Sequence, residues 1–184
     1  MIYHGSPHEG IELLEPRLSE QHNAYVYFTR NKVLATIYCV QIVSPPSNWY
    51  PYGFEDGKLK YIEYYPDALE DVYKGKRGYI YSCIEDNKMF NYPEINDVLV
   101  SETVVKTESC YEIIDVYEKL LEYEKEGKLI IQRFDTLTSK QKTSINEMIL
   151  NEITRYNLLC TPENEYSKFI KTRFNTIWNG LTGV

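Results

Sequence analysis

Three short stretches carry the side chains with the most chemistry in this 184-residue chain: YHGS at Tyr3–Ser6, YVYFTRNKVLATIY at Tyr25–Tyr38 and VSETVV at Val100–Val105. The last offers a carboxylate, Glu102, and a carboxylate stabilises positive charge as it develops in an oxocarbenium-like state such as glycosidic bonds pass through. The middle stretch offers the phenol rings of Tyr27 and Tyr38. Two facing rings hold a flat cationic heterocycle by stacking and cation–π attraction of about 0.5–2 kcal/mol each. The first offers the imidazole of His4 followed by Gly5, whose missing side chain permits close approach to the main chain. Each piece also has a plainer reading. Tyr38 fits the apolar face of a helix, Glu102 a solvated strand rim and His4 a structural strand end, so the three carry weight only together.

Other catalytic patterns drop out. His4 and His8 stand four apart, but Gly5 and Pro7 break the helix that a pair of zinc ligands would need, and the glutamate of the metalloprotease pattern is missing. No Gly-x-Ser-x-Gly elbow, phosphate-binding loop ending in Lys-Ser/Thr, or Gly-x-Gly-x-x-Gly turn occurs, so serine hydrolases, P-loop enzymes and dinucleotide-binding Rossmann domains lose support. Cys39, Cys83, Cys110 and Cys160 are too far apart for a zinc or redox motif and read as buried thiols.

The elements that must position these residues follow from composition and period. With 43% hydrophobic and 26% charged residues the chain is of globular type, and its length suits a single core. The longest apolar run is Ala24–Phe28, far short of the roughly 20 residues that cross a bilayer, and no basic, apolar leader opens the sequence; a cytoplasmic location is expected. A net charge of −7 opposes non-specific nucleic-acid binding, so any anionic ligand must be met by local cations. The 18 tyrosines bury rings while asking for partners for their hydroxyls, as in a half-wet core.

Met1–His4 and Ala24–Thr29 read as strands, and Val33, Leu34, Ile37, Tyr38 and Ile42 as a helix capped by Thr29 or Asn31 and ended by Pro45-Pro46. Residues 47–58, with Trp49, Tyr50, Tyr52 and Phe54, read as an ordered aromatic loop, either anchored or folded over a ligand. Strands are expected at Lys60–Tyr65, Tyr79–Cys83 and Val98–Val105, with a short helix at Asp67–Tyr73 between the first two. From Tyr111 three helices are expected: one ending at Lys125-Gly127, one over Ser139–Tyr156, and one opened by Thr161-Pro162 and running to Trp178.

Set in that order, the three stretches resemble the signature of the ADP-ribosyltransferase fold of the diphtheria-toxin and poly(ADP-ribose) polymerase kind, with a His, a Tyr and a Glu on three strands. His4 precedes Gly5; Tyr27-Phe28-Thr29 supplies the Tyr-Phe-small run; Tyr38 follows Tyr27 by eleven residues; Glu102 precedes Thr103, Val104 and Val105. The resemblance implies an α+β fold: a split, bent β-core of ADP-ribosyltransferase type over residues 1–110, carrying a mostly helical C-terminal extension over 111–184 packed on it. It implies NAD as substrate, ADP-ribose transfer to an acceptor or NAD hydrolysis, and Glu102, His4 and Tyr27 as catalytic residues. Glu102 would hydrogen-bond the ribose 2-hydroxyl, His4 a ribose hydroxyl and the Gly5 main chain the carboxamide, with Tyr27 and Tyr38 enclosing nicotinamide. Arg30 and Lys32, or else Arg17, are the nearest cations for the pyrophosphate. Arginine-modifying relatives carry Glu or Gln two residues before the catalytic Glu, where this chain has Val100, so arginine is disfavoured as acceptor. The arginines that RNA 2-phosphotransferases set around a histidine are missing beside His4. The competing expectation is a non-catalytic protein of the same fold acting as a protein-binding module.

Overall fold

The computed structural model describes residues 1–18, 24–43, 50–93 and 95–183. The chain opens with β1 (Ile2–Ser6), β2 (Leu13–Leu14), β3 (Arg17–Leu18) and β4 (Ala24–Thr29), followed by α1 (Lys32–Ile37). A hairpin of β5 (Tyr52–Glu55) and β6 (Lys58–Ile62) leads to α2 (Ala68–Tyr73), then β7 (Gly78–Cys83), β8 (Phe90–Asn91), β9 (Val98–Ser101), β10 (Val105–Lys106) and β11 (Ser109–Ile113). The remainder is α3 (Val116–Lys125), β12 (Leu129–Gln132), α4 (Ser139–Arg155), α5 (Glu165–Arg173) and α6 (Asn175–Thr182). The class is α+β, and no helix among the described residues is long and apolar enough to cross a membrane.

The main sheet runs β11-β7-β1-β4-β9-β8, every neighbour antiparallel, with β3 also on β4. β1 keeps β7 beside it from Ile2 to Ser6 but meets β4 at Tyr3↔Thr29 alone. Past that pair the two strands part, and His4, Gly5 and Ser6 have a strand partner on one edge only.

Side chains alternate between the two faces. Ile2, Val26, Phe28, Cys83 and Leu99 face one way and pack with Leu14 and Val105. Ile80, Val98 and Val100 face the other way, where α1 and α3 lie and where Tyr3, Tyr25 and Tyr27 are half-buried. A separate cluster joins Ile145, Ile149 and Ile153 of α4 to Phe169, Ile170 and Trp178, and Arg173 ties it to α2 through Asp71 at 2.7 Å.

Two glycines set how closely α1 packs. A Cβ on Gly5 would lie 1.9 Å from the Ala35 carbonyl oxygen, and one on Gly78 would lie 2.4 Å from the Cys39 Cβ. No other residue admits the helix backbone at that distance. Carbonyls at the end of α1 and just past it then find donors in tyrosine hydroxyls: Tyr73 donates to the Ile37 carbonyl and Tyr50 to that of Val40, both at 3.3 Å. Part of the tyrosine excess therefore terminates one helix inside the core.

Several expected elements differ. The stretch 47–58 is not a loop throughout, because Asp56 and Gly57 both take positive φ (51° and 75°) and close a two-residue hairpin between β5 and β6. Trp49 and Pro45-Pro46 lie outside the described residues. Val98–Val105 breaks after Ser101, whose hydroxyl accepts from the Thr103 amide at 3.1 Å and turns the chain, leaving Glu102 off the strand. The boundary at 110 falls inside β11, which pairs with β7, and β12 lies parallel to β6, so the sheets recruit residues well past it. The last expected helix is two, capped by Asn164 rather than Thr161 and interrupted at Phe174 (φ −124°, ψ 43°). Cys39 and Cys83 are buried, but Cys110 and Cys160 are exposed.

Candidate functional site

Where β1 leaves β4 the structure opens a cleft of about 410 Å³ whose lining includes His4, Leu13, Arg17, Leu18, Tyr25 and Tyr27. His4 Nδ1 lies 2.9 Å from the Tyr27 carbonyl oxygen. A carbonyl only accepts, so Nδ1 carries the proton and Nε2 is left as a lone-pair acceptor. Burial holds the imidazole below its ordinary range against the opposing effect of that bond, and the charge of Arg17 pushes the same way as burial. A neutral histidine with a fixed tautomer can accept a hydrogen bond from a ligand hydroxyl.

The wall of the cleft is built by the segment after β1 and is pinned to β7. The Tyr81 hydroxyl donates to the His8 carbonyl at 2.8 Å and accepts from the Ile11 amide at 3.2 Å, while Tyr79 donates to Glu9 at 3.2 Å. Thr107 clasps the same segment from the other side, its amide donating to the Glu12 carbonyl at 3.0 Å. Nothing in the local sequence marks Tyr81 for this task; only the His4↔Tyr81 register does.

Alternation sends the His4 and Tyr27 side chains to opposite faces. His4 packs edge-on to Phe28, ring centroids 6.1 Å apart, whereas Tyr27 contacts Tyr25 and Tyr92. His4 and Tyr27 meet through the Tyr27 main chain. Tyr38 lies in the same core cluster as Tyr27. Its ring rests on Tyr50 with centroids 4.3 Å apart, and its hydroxyl shares a 2.8 Å hydrogen bond with that of Tyr52. Desolvation raises the Tyr38 phenol far beyond its ordinary range and Tyr50 to about 12, so both stay neutral.

Glu102 is exposed at the tip of the Ser101–Thr103 turn and is not among the described residues lining the cleft. Two strand spacings separate β9 from β1, which puts it about 10 Å or more from His4. Gly5 faces α1, where its missing Cβ serves packing. Arg30 is engaged elsewhere: its Nε donates to Glu85 at 3.0 Å and its Nη2 closes the second arm of the pair. Arg17 is the cation at the cleft instead. A larger and more open groove of about 690 Å³ runs along β11 and α3, lined by Glu112, Asp115, Glu118 and Lys119 among others, with no imidazole. No cluster of three or more metal-ligating side chains exists among the described residues. Comparison with protein-family models, curated proteins and solved structures finds no match to this chain.

Proposed function

We propose that the chain binds NAD in the cleft between β1 and β4 and breaks its nicotinamide–ribose bond, passing ADP-ribose to water or to an acceptor other than arginine. The observation that carries this reading is that His4 lines the cleft with its Nδ1 committed to the Tyr27 carbonyl, which leaves Nε2 as the nitrogen to accept from a ribose hydroxyl. The bonding pair leaves with nicotinamide, which departs neutral, the ribose carbon gains oxocarbenium character, and the incoming nucleophile bonds to that carbon and releases its proton to bulk water. Glu102 is the carboxylate that the resemblance assigns to that developing charge; in the structure it stands exposed on the turn after β9, outside the described lining of the cleft. Val100 is fully buried, so the second acid that arginine-modifying relatives place there is replaced by a core side chain.

A second reading, a non-catalytic protein that binds another protein, is favoured by the packing of Tyr38 inside the protein, where its ring lies against Tyr50 with centroids 4.3 Å apart and its hydroxyl bonds that of Tyr52. Incubation with NAD, following nicotinamide release and covalent labelling, separates the two. The enzyme reading expects turnover that falls by ~100-fold or more in Glu102→Ala. Equal inertness of both proteins, together with no NAD binding by calorimetry, refutes it.

A further inference from the structure

We infer that Arg17 is the anion-binding residue of the His4 cleft, and that the cleft takes a nucleotide-type ligand whose phosphate or diphosphate meets Arg17 while its flat ring lies on Leu13 and Leu18. The inference deepens the NAD reading and rests on it for the ring; the anion contact stands on the cleft alone.

Arg17 lines the cavity from β3, which is held against β4 by the pair Arg17↔Tyr25. Among the described residues it belongs to none of the ion pairs, which instead engage Arg30, Arg77, Arg133 and Arg173. A guanidinium presents a planar fork of donors that suits a phosphate in two-point fashion, and in a chain of net charge −7 such a group is the local exception an anionic ligand needs. Its charge already reaches the imidazole, pressing His4 towards the neutral form. Leu13 and Leu18 are 54% and 78% exposed, an apolar rim beside the cation that nothing among the described residues covers. Cation, hydroxyl acceptor and apolar shelf are the three chemistries of a nucleotide. Glu15 also lines the cleft and opposes an anion there.

The test uses the full chain and calorimetric titration with ADP-ribose, with adenosine and nicotinamide riboside as ligands lacking the diphosphate, and with inorganic pyrophosphate. Arg17→Gln, at an exposed position, is expected to keep the wild-type melting temperature and to weaken ADP-ribose by roughly 10- to 100-fold, leaving adenosine and nicotinamide riboside unchanged. Glu15→Gln should strengthen ADP-ribose, Arg30→Gln should leave it unaltered, and wild-type binding should weaken with salt along a slope that flattens in Arg17→Gln. If Arg17→Gln binds ADP-ribose and pyrophosphate as wild type does, the assignment of Arg17 is overturned while the NAD reading stands. Should wild type bind pyrophosphate through Arg17 but no nucleoside or nucleotide, the NAD reading falls and the anion site remains. Binding of none of the four ligands overturns both.

Discussion

Replacing Gly5 by alanine separates the two jobs that this position could have. The added Cβ would sit 1.9 Å from the Ala35 carbonyl oxygen, 2.9 Å from its carbonyl carbon and 3.1 Å from the Cys39 amide nitrogen. These are backbone atoms of one short helix and its end, so no rotamer change relieves the contact. Reaching an ordinary separation of 3.4 Å requires α1 to move by about 1.5 Å relative to β1. That motion would also strain the Cys39 thiol, which donates to the Tyr79 carbonyl at 3.3 Å, and the Tyr73 bond to Ile37. Overpacking against immobile atoms costs about 3 kcal/mol or more. For a chain of this size the melting temperature then falls by roughly 6–12 °C. Gly53→Ala is the internal control: nothing lies within 4 Å of the position its new methyl would take, and it should be neutral or slightly stabilising. Calorimetric melting and urea titration of the three proteins check this. Gly5→Ala melting within about 2 °C of wild type would refute the packing account and return Gly5 to a purely ligand-contacting role.

Three further outcomes are expected. Burial pushes the Cys39 thiol up to about 12 and that of Cys83 to about 11, so a maleimide at neutral pH should label Cys110 and Cys160 alone in the folded protein and all four cysteines in denaturant, as counted by mass spectrometry. Because burial holds folded His4 below its unfolded value of 6.5, the unfolded chain binds the extra proton: the stability His4 contributes is complete above about pH 6.5 and is lost as pH falls towards the folded value. Urea midpoints of wild type against His4→Gln, followed from about pH 8 down to about pH 4, should converge at the acid end. Arg173 donates from Nε to Asp71 at 2.7 Å and to the Tyr65 hydroxyl at 3.1 Å and lies over the Phe169 ring at 4.4 Å. Discounted for partial solvent exposure, Arg173→Ala should cost about 1–2 kcal/mol, loosening α5 from α2, with amide exchange in α5 rising before that in β7.

Elements whose local pattern and tertiary role agree were legible in the sequence. Ala24–Thr29 is a strand, Asn31 caps α1 through its side-chain oxygen at 3.0 Å from the Val33 amide, and the Ile145, Ile149 and Ile153 face of α4 is buried as its period predicts. Elements defined by a distant partner were not. Ser109–Ile113 has four exposed residues of five and becomes a strand through its register with β7, and Leu129–Gln132 through β6. The Asp56-Gly57 turn was available as a hairpin signal, but the surrounding Trp, Tyr and Phe content pointed to a packed loop. At the site, His4 and Tyr27 could be singled out by type, yet their link runs through a main-chain carbonyl, which every residue has and no sequence marks. Arg30 stands three residues from Tyr27 in sequence and was the natural choice for an anion, but Glu85 claims it across 55 residues.

The cleft and the core are not independent. Gly5, which lets α1 approach, lies in the three-residue stretch where β1 has lost β4, so the residue that fixes the helix also stands at the mouth of the opening. His4 bridges that opening to the Tyr27 carbonyl with the ring that would meet a ligand. A loss of ligand binding in any variant at positions 4 or 5 is therefore ambiguous until its stability is known. Arg17, exposed and outside every ion pair among the described residues, escapes the ambiguity, since its substitution is expected to leave the melting temperature unchanged. A binding defect in Arg17→Gln without a change in melting temperature would locate a ligand at the opening in a way that no substitution of His4 or Gly5 can.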